Sequence, residues 1–161
     1  LRGAQGLLFD LIDYPDNVLK EFDIVVGAIH TGFKQSPEQL TKRIVQACQN
    51  KFVHIISHPT GRLWGTRDSY ELDFEKIFKV AQETNTALEI NSFPQRLDLN
   101  DQNSHFAKKM GVKLAINTDS HAIEHLDNMY LGICVARRGW LEAEDVINTL
   151  PVEKLLKAIK K

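Results

Sequence analysis

The chain is predicted to be an α/β protein built around a parallel sheet. Short β-branched runs alternate with longer stretches of helical period, the pattern of strands joined by crossover helices. The strand-like runs are nearly continuous in apolar residues, as strands covered on both faces require. At 161 residues the sequence has the length of one domain with a core of its own.

Five runs read as strands: Ile24 to Ile29, Val53 to Ser57, Ala87 to Asn91, Lys113 to Asn117 and Leu131 to Ala136. Each has strand length and turn residues at its borders. Residues 1–12 would supply one further strand. The first long helix begins at Ser36-Pro37-Glu38. Ser36 serves as N-cap and Pro37 suits the first turn, while Leu40, Ile44, Val45 and Cys48 share one face. Asp73 to Thr84 repeats the pattern with Phe74, Ile77, Phe78 and Ala81, and Asp101 to Met110 is closed by Gly111. A short helix is expected over Ala122 to Asn128, then two more, Glu142 to Leu150 and Val152 to Lys160, parted by Pro151. No Gly/Ser linker, low-complexity tract or short repeat interrupts the chain.

Composition narrows the function classes. Twenty basic residues against twenty-one acidic ones give no global field that would draw nucleic acid or an anionic membrane, so a polyanion must be held locally. Cys48 and Cys134 are the two cysteines and form no paired motif, which argues against a disulfide framework or a zinc finger and fits a reducing cytosol. No apolar run approaches the ~20 residues of a membrane span and no signal-type start is seen, so a cytoplasmic protein is expected.

Ligands of parallel α/β proteins gather at the C-terminal ends of strands. His30 follows the first run and His58 the second, Glu89 and Asn91 end the third, and Asp119 and His121 follow the fourth. Three imidazoles and a carboxylate on one rim suit zinc, manganese or iron. Each also has an ordinary role: a lone His is commonly a hydrogen-bonded loop residue, and Asp119-Ser120 would cap the helix at 122–128. Their joint placement favours the metal rim. His54 starts its strand and belongs at the opposite rim as a structural residue; His105 and His125 are expected on the surface. Arg62, Arg67, Arg96, Arg137 and Arg138 also follow strand ends. Arginine recognises phosphate bidentately, so Arg62 and Arg96 are candidates for a substrate phosphate. Trp64 and Trp140 stand near arginines and would either stack on bases or pack at loop bases, with packing the stronger expectation.

The stretches "SHPTGRL", "ALEINSFPQRLDL", "INTDSH" and "ARRGWL" followed by "DVINTL" closely resemble the polymerase-and-histidinol-phosphatase (PHP) domain of bacterial and archaeal family X DNA polymerases. "DYPDNVLKEFDIVVGAIHTGF" fits the segment before them, so the resemblance runs from about Asp13 to Leu150. It implies a distorted, TIM-like (β/α) barrel of seven strands with outer helices, of which residues 1–161 would be the later part, as a single domain. It also implies up to three Mn²⁺ or Zn²⁺ ions at the C-terminal rim, and a 3′–5′ exonuclease and 3′-phosphatase activity on DNA 3′ ends in DNA repair. By matching motif, His30, His58, Asp119 and His121 would be metal ligands, Asp119 and His121 catalytic, and Arg62 and Arg96 phosphate-binding.

Two departures qualify this. The family's opening H-x-H and the Asp-His after it would lie ahead of Leu1, and "GAQ" puts Gln5 where the family has a glutamate bridging two cations. The chain by itself is therefore expected to hold fewer metals and to be impaired, with an upstream polymerase region as its natural partner. A partial barrel would also leave strand edges open to self-association. Two other functions stand beside this one: a histidinol-phosphatase-like enzyme acting on small phosphomonoesters, and a non-catalytic structural or DNA-binding module of a polymerase, which Gln5 favours.

Overall fold

A computed structural model describes residues 3–7, as backbone only, and residues 14–159. Five parallel strands lie side by side in chain order: β1 Gly3–Leu7, β2 Ile24–Ala28, β3 Ile55–Ile56, β4 Ala87–Asn91 and β5 Leu114–Asn117. Gln5 is registered with Val26, Val26 with Ile55, Ile55 with Ala87, and Leu88 with Leu114. The winding never reverses, unlike a doubly wound sheet, which has a switch point. Gln5 falls in β1, and its side chain, on which the bridging question turns, lies outside the described residues.

The helices follow from local chemistry. Helix α1 is a single turn, Asp16–Leu19, that the hydrophobic pattern did not announce. Helix α2, Pro37–Gln49, opens with a capping box: Ser36 Oγ accepts from the Gln39 N–H at 3.2 Å, and Gln39 Oε1 accepts from the Ser36 N–H at 3.0 Å. In α3, Phe74–Glu83, the Asp73 carboxylate caps the Lys76 N–H. Helix α4, Asp101–Lys109, is capped by the Asn100 side chain and stops at Gly111, whose φ of 76° suits glycine. No helix among the described residues is long and apolar enough to cross a membrane.

Period-two alternation divides the sheet. One face sends Val25, Ile56, Leu88, Ile90, Leu114 and Ile116 into the main core, against Leu40 and Ile44 of α2 and Ile77 and Phe78 of α3. The other face carries Ile55, Ala87 and Ala115, packed with Ile147, Ile159 and Leu155, and flanked by half-buried Ile24 and Val26. Leu155 belongs to α6, Val152–Ala158.

Two predicted elements are corrected. Leu131 to Ala136 is not a strand but the middle of helix α5, Met129–Arg138. Gly132 and Ala136 are buried while Ile133 and Cys134 between them are exposed, a helical spacing hidden by a run of apolar residues. Glu142 to Leu150 is not an α-helix. It forms two 3₁₀ turns, Ala143–Asp145 and Ile147–Thr149, because Val146 and Ile147 bury on opposite faces, Val146 bridging Leu114 and Ile147 joining the second core. The Asn148 side chain completes this by accepting from the Ile116 N–H at 3.1 Å and donating to the Ile116 carbonyl at 2.6 Å, covering the edge of β5. The short helix at 122–128 is also 3₁₀, over Ile123–Asn128.

Gly132 lets α5 lie directly on the sheet. A Cβ there would stand 2.0 Å from Ser92 Oγ and 2.5 Å from Ile116 Cγ2. Gly132→Ala is expected to destabilise the fold by about 1–3 kcal/mol through overpacking, although alanine is the better helix former by about 1 kcal/mol. Chemical denaturation measures the sign directly.

Candidate functional site

Strand β4 is buried along its whole length, and Glu89 lies in its middle. Four donors satisfy its carboxylate. Oε2 accepts from the Ser57 hydroxyl at 2.5 Å, the His58 N–H at 2.7 Å and Asn91 Nδ2 at 3.1 Å, and Oε1 accepts from Asn117 Nδ2 at 2.9 Å. Burial pushes the Glu89 carboxyl above its ordinary value, and the hydrogen bonds from Ser57, Asn117, the His58 backbone and Asn91 oppose that rise. The carboxylate thereby ties the turn after β3 to the ends of β4 and β5.

His58 is held in that turn with φ at 29°, in the left-handed region that disfavours a side chain. It is 3% exposed, and its Nδ1 is buried with no hydrogen-bond partner among the described residues. The His30 ring meets it edge-on, with centroids 5.2 Å apart. Burial first, then the positive Arg96 and the neighbouring His30, lowers the His58 pKa to about 4, with Asp119 pulling weakly the other way. The buried imidazole is thus neutral at ordinary pH and able to accept a proton or a cation.

Asp119 also sits in the left-handed region, with φ at 51°. Its Oδ2 accepts from Arg96 Nε at 3.0 Å and from Asn91 Nδ2 at 3.2 Å. Asn91 therefore bridges Glu89 and Asp119. His121 is exposed; its Nδ1 donates to the Asp119 carbonyl at 2.7 Å, and its N–H donates to His125 Nδ1 at 3.1 Å. His125, expected on the surface, is half-buried against Phe93, with ring centroids 5.3 Å apart.

The sequence-predicted residues thus fall into linked pairs: His30 with His58, and Asp119 with Arg96. His121 turns to its own backbone. Among the described residues no three His, Cys, Asp or Glu side chains already form a metal cluster. Arg62 donates from Nε to the Arg96 carbonyl at 2.7 Å and from a terminal nitrogen to the Leu97 carbonyl, so it clasps two loops together. Arg67 lies 3.8 Å from the Phe33 ring centroid and donates to the Gly61 carbonyl, while Arg138 pairs with Asp101. His54 is structural, as expected, accepting from the Val25 N–H at 3.0 Å. His105 is half-buried rather than on the surface, its Nδ1 donating to the Gly139 carbonyl at 3.1 Å. The packing expectation for the tryptophans is corrected: Trp64 is 59% and Trp140 75% exposed, the first in the turn closed by the Leu63–Arg67 bridge and the second in the turn that follows α5.

Sequence reasoning missed the supporting groups. Ser57 and Asn117 were legible from alternation, since they share a sheet face with Glu89. Asp98 was not: it is fully buried, accepts from the Thr60 N–H at 2.9 Å, and burial holds its pKa up at about 7. Beneath the rim lies a cleft of about 470 Å³, with Ile24, Val26, Ile55 and Ala115 as floor and Ser57, Glu89, Asn117 and Asp119 as upper wall.

No protein-family model matches the chain. The "DNA polymerase/3′-5′ exonuclease PolX" of Bacillus subtilis (strain 168) is 46% identical over 152 residues, covering 91% of this chain and 27% of that protein. A probable phosphatase of Thermoanaerobacter sp. (strain X514) is 31% identical over 161 residues, covering 92% of this chain and 63% of its own length. A probable phosphatase of Caldicellulosiruptor bescii is 31% identical over 131 residues, covering 74% and 52% respectively. The chain spans about a quarter of the polymerase and between half and two thirds of these phosphatases.

Two outcomes follow from the geometry. Because the folded His58 pKa is depressed to about 4, its contribution to stability is present above its unfolded value near 6.5 and is lost as pH falls towards 4. NMR titration should show a His58 ring that stays neutral to about pH 4. Glu89→Ala strands four donors and is expected to cost about 3–5 kcal/mol of stability in denaturant titrations.

Proposed function

The chain belongs to the family of PHP domains that family X DNA polymerases carry, and on that premise we propose that it is a metal-dependent phosphoesterase domain hydrolysing phosphoesters at DNA 3′ ends. One observation carries the reading: the edge-to-face pair of His30 and His58, with a buried His58 nitrogen that finds no hydrogen-bond partner among the described residues. A buried polar atom without a partner is costly, and a cation is the partner that suits a neutral imidazole. The donor chemistry of the rim fits Mn²⁺ or Zn²⁺. His30, His58, Asp119 and His121 would hold the ion, with Asp119 and His121 nearest the chemistry. Five strands wound in one direction are read as an arc of the family's seven-stranded barrel.

When bound, such an ion supplies Lewis acidity at the phosphoryl oxygen and lowers the pKa of a water ligand to about 7. The chain's own residues do the rest. Glu89 fixes the His58 backbone through its N–H and so sets where the imidazole points. Arg96 and Asp119 neutralise one another at 3.0 Å. An incoming phosphate would compete with Asp119 for Arg96, and the Asp119 carboxylate so released would help to hold the ion. Arg62 holds the Arg96 loop by its backbone and supports the same phosphate site from behind. Hydrolysis of small phosphomonoesters is the second reading, favoured by the probable phosphatases among the relatives.

The test measures bound Mn²⁺ and Zn²⁺ after dialysis, together with release of nucleotides from a 3′-labelled oligonucleotide and of phosphate from a small phosphomonoester. His58→Ala is expected to lose metal and about 100-fold in turnover, and Arg96→Ala to raise the oligonucleotide KM by about tenfold. Unchanged turnover in a chelator, or in His58→Ala, would overturn the proposal. Faster hydrolysis of the small ester than of the oligonucleotide would select the second reading.

A further inference from the structure

The loop between His58 and Tyr70 carries a device that phosphoester hydrolysis alone does not require. Leu63 and Arg67 pair as an antiparallel bridge, exchanging N–H to carbonyl bonds at 2.9 and 2.8 Å, and Thr66 closes the turn onto the Leu63 carbonyl at 2.9 Å. Trp64 occupies the tip of this hairpin. Its N–H donates to the Gln95 carbonyl at 2.7 Å, yet 59% of the residue remains exposed. Leaving an indole in water forgoes the burial that usually justifies so large a side chain.

Its surroundings make the ring a fixed surface. The Arg62 guanidinium lies over the indole, 5.0 Å from the centroid, and is immobilised by its bonds to the carbonyls of Arg96 and Leu97. Arg67, at the other end of the hairpin, is anchored on Phe33 and on the Gly61 carbonyl. Beside the ring is a cleft of about 420 Å³ lined by Arg62, Trp64, Thr66, Arg67, Asp68 and Ser69, within the size range of small-ligand pockets. Asp68, Thr66 and Ser69 offer acceptors to the exocyclic amines and ring N–H groups of a base, while Arg62 and Arg67 on the same cleft suit its flanking phosphates. The platform is also joined to the rim: Arg96, whose backbone receives Arg62, holds Asp119.

We propose that Trp64, backed by Arg62, is a stacking platform for one nucleobase of the strand whose phosphoester lies at the Arg96–Asp119 rim. The inference rests on the phosphoesterase reading and adds to it a positioning residue, Trp64, which would hold a base by its face rather than by its sequence. Stacking on an aromatic ring is tolerant of base identity and strong enough to matter beside a single phosphate contact. The indole would grip the strand a short way from the reacting bond, with Arg62 and Arg67 beside it.

The experiment uses the chain in excess EDTA, so that binding is read apart from hydrolysis and failure of either idea is visible by itself. Trp64 and Trp140 are the two tryptophans, so Trp140→Phe leaves Trp64 as the sole reporter. Titration with oligothymidylate should quench its fluorescence. A set of end-labelled oligonucleotides, each abasic at one position and followed by fluorescence anisotropy of the label, should contain one that binds about tenfold more weakly than the intact strand. That difference should shrink to about onefold in Trp64→Ala and persist in Trp64→Phe, since any aromatic face supports stacking. No quenching, no abasic position that matters, or a preference that survives in Trp64→Ala would overturn the proposal. Absence of turnover in the metal-loaded chain would count against the phosphoesterase reading and leave this result standing.

Discussion

A carboxylate in the middle of a buried strand is the constraint on which the rim depends. Removing a charge from water costs several kcal/mol, and Glu89 is held only because donors from three neighbouring strand ends converge on it. Ser57 and the His58 N–H come from the end of β3, Asn91 from β4, and Asn117 from β5. The group that would otherwise destabilise the sheet therefore fixes the relative positions of its three polar ends. The left-handed turns at His58 and Asp119 are local costs that this network offsets.

The two sheet faces divide the labour. The helix-covered face holds most of the apolar core, which makes the sheet rigid enough to carry a strained rim. The opposite face grades from an apolar floor to a polar upper wall that includes Glu89 and Asp119. The Arg96–Asp119 pair, with side chains 15% and 16% exposed, is screened less than a surface pair would be. A phosphoester brings negative charge and a metal brings positive charge. In the protein itself Arg96 and Asp119 pair with one another at 3.0 Å.

Much of this was legible along the chain. Helix α2 announced itself through Ser36, Pro37 and a stripe from Leu40 to Cys48, and β4 matched its five residues in full. The placement of His30 beside His58 and of Asp119 beside Arg96 followed from one rule, that strand ends share a rim. The failures have a common physical origin. Residues 131–136 are apolar enough to read as a strand, and only the docking of Gly132 onto Ser92 and Ile116 makes a helix the better packed solution. Residues 142–150 have helical spacing, but Val146 and Ile147 serve two cores at once, which a helix cannot do. Asp98 and His125 acquired partners, Thr60 and Phe93, through loops that meet only in the fold. Periodicity carries no record of such meetings.

The most direct test is a crystal structure of the chain soaked in Mn²⁺, with diffraction collected for the anomalous signal of manganese. The account predicts an anomalous peak within bonding distance of His58 Nδ1 and a ring nitrogen of His30, with the Asp119 carboxylate released from Arg96. A map with no peak at the histidine pair, and the Arg96–Asp119 bond intact at saturating Mn²⁺, would contradict it.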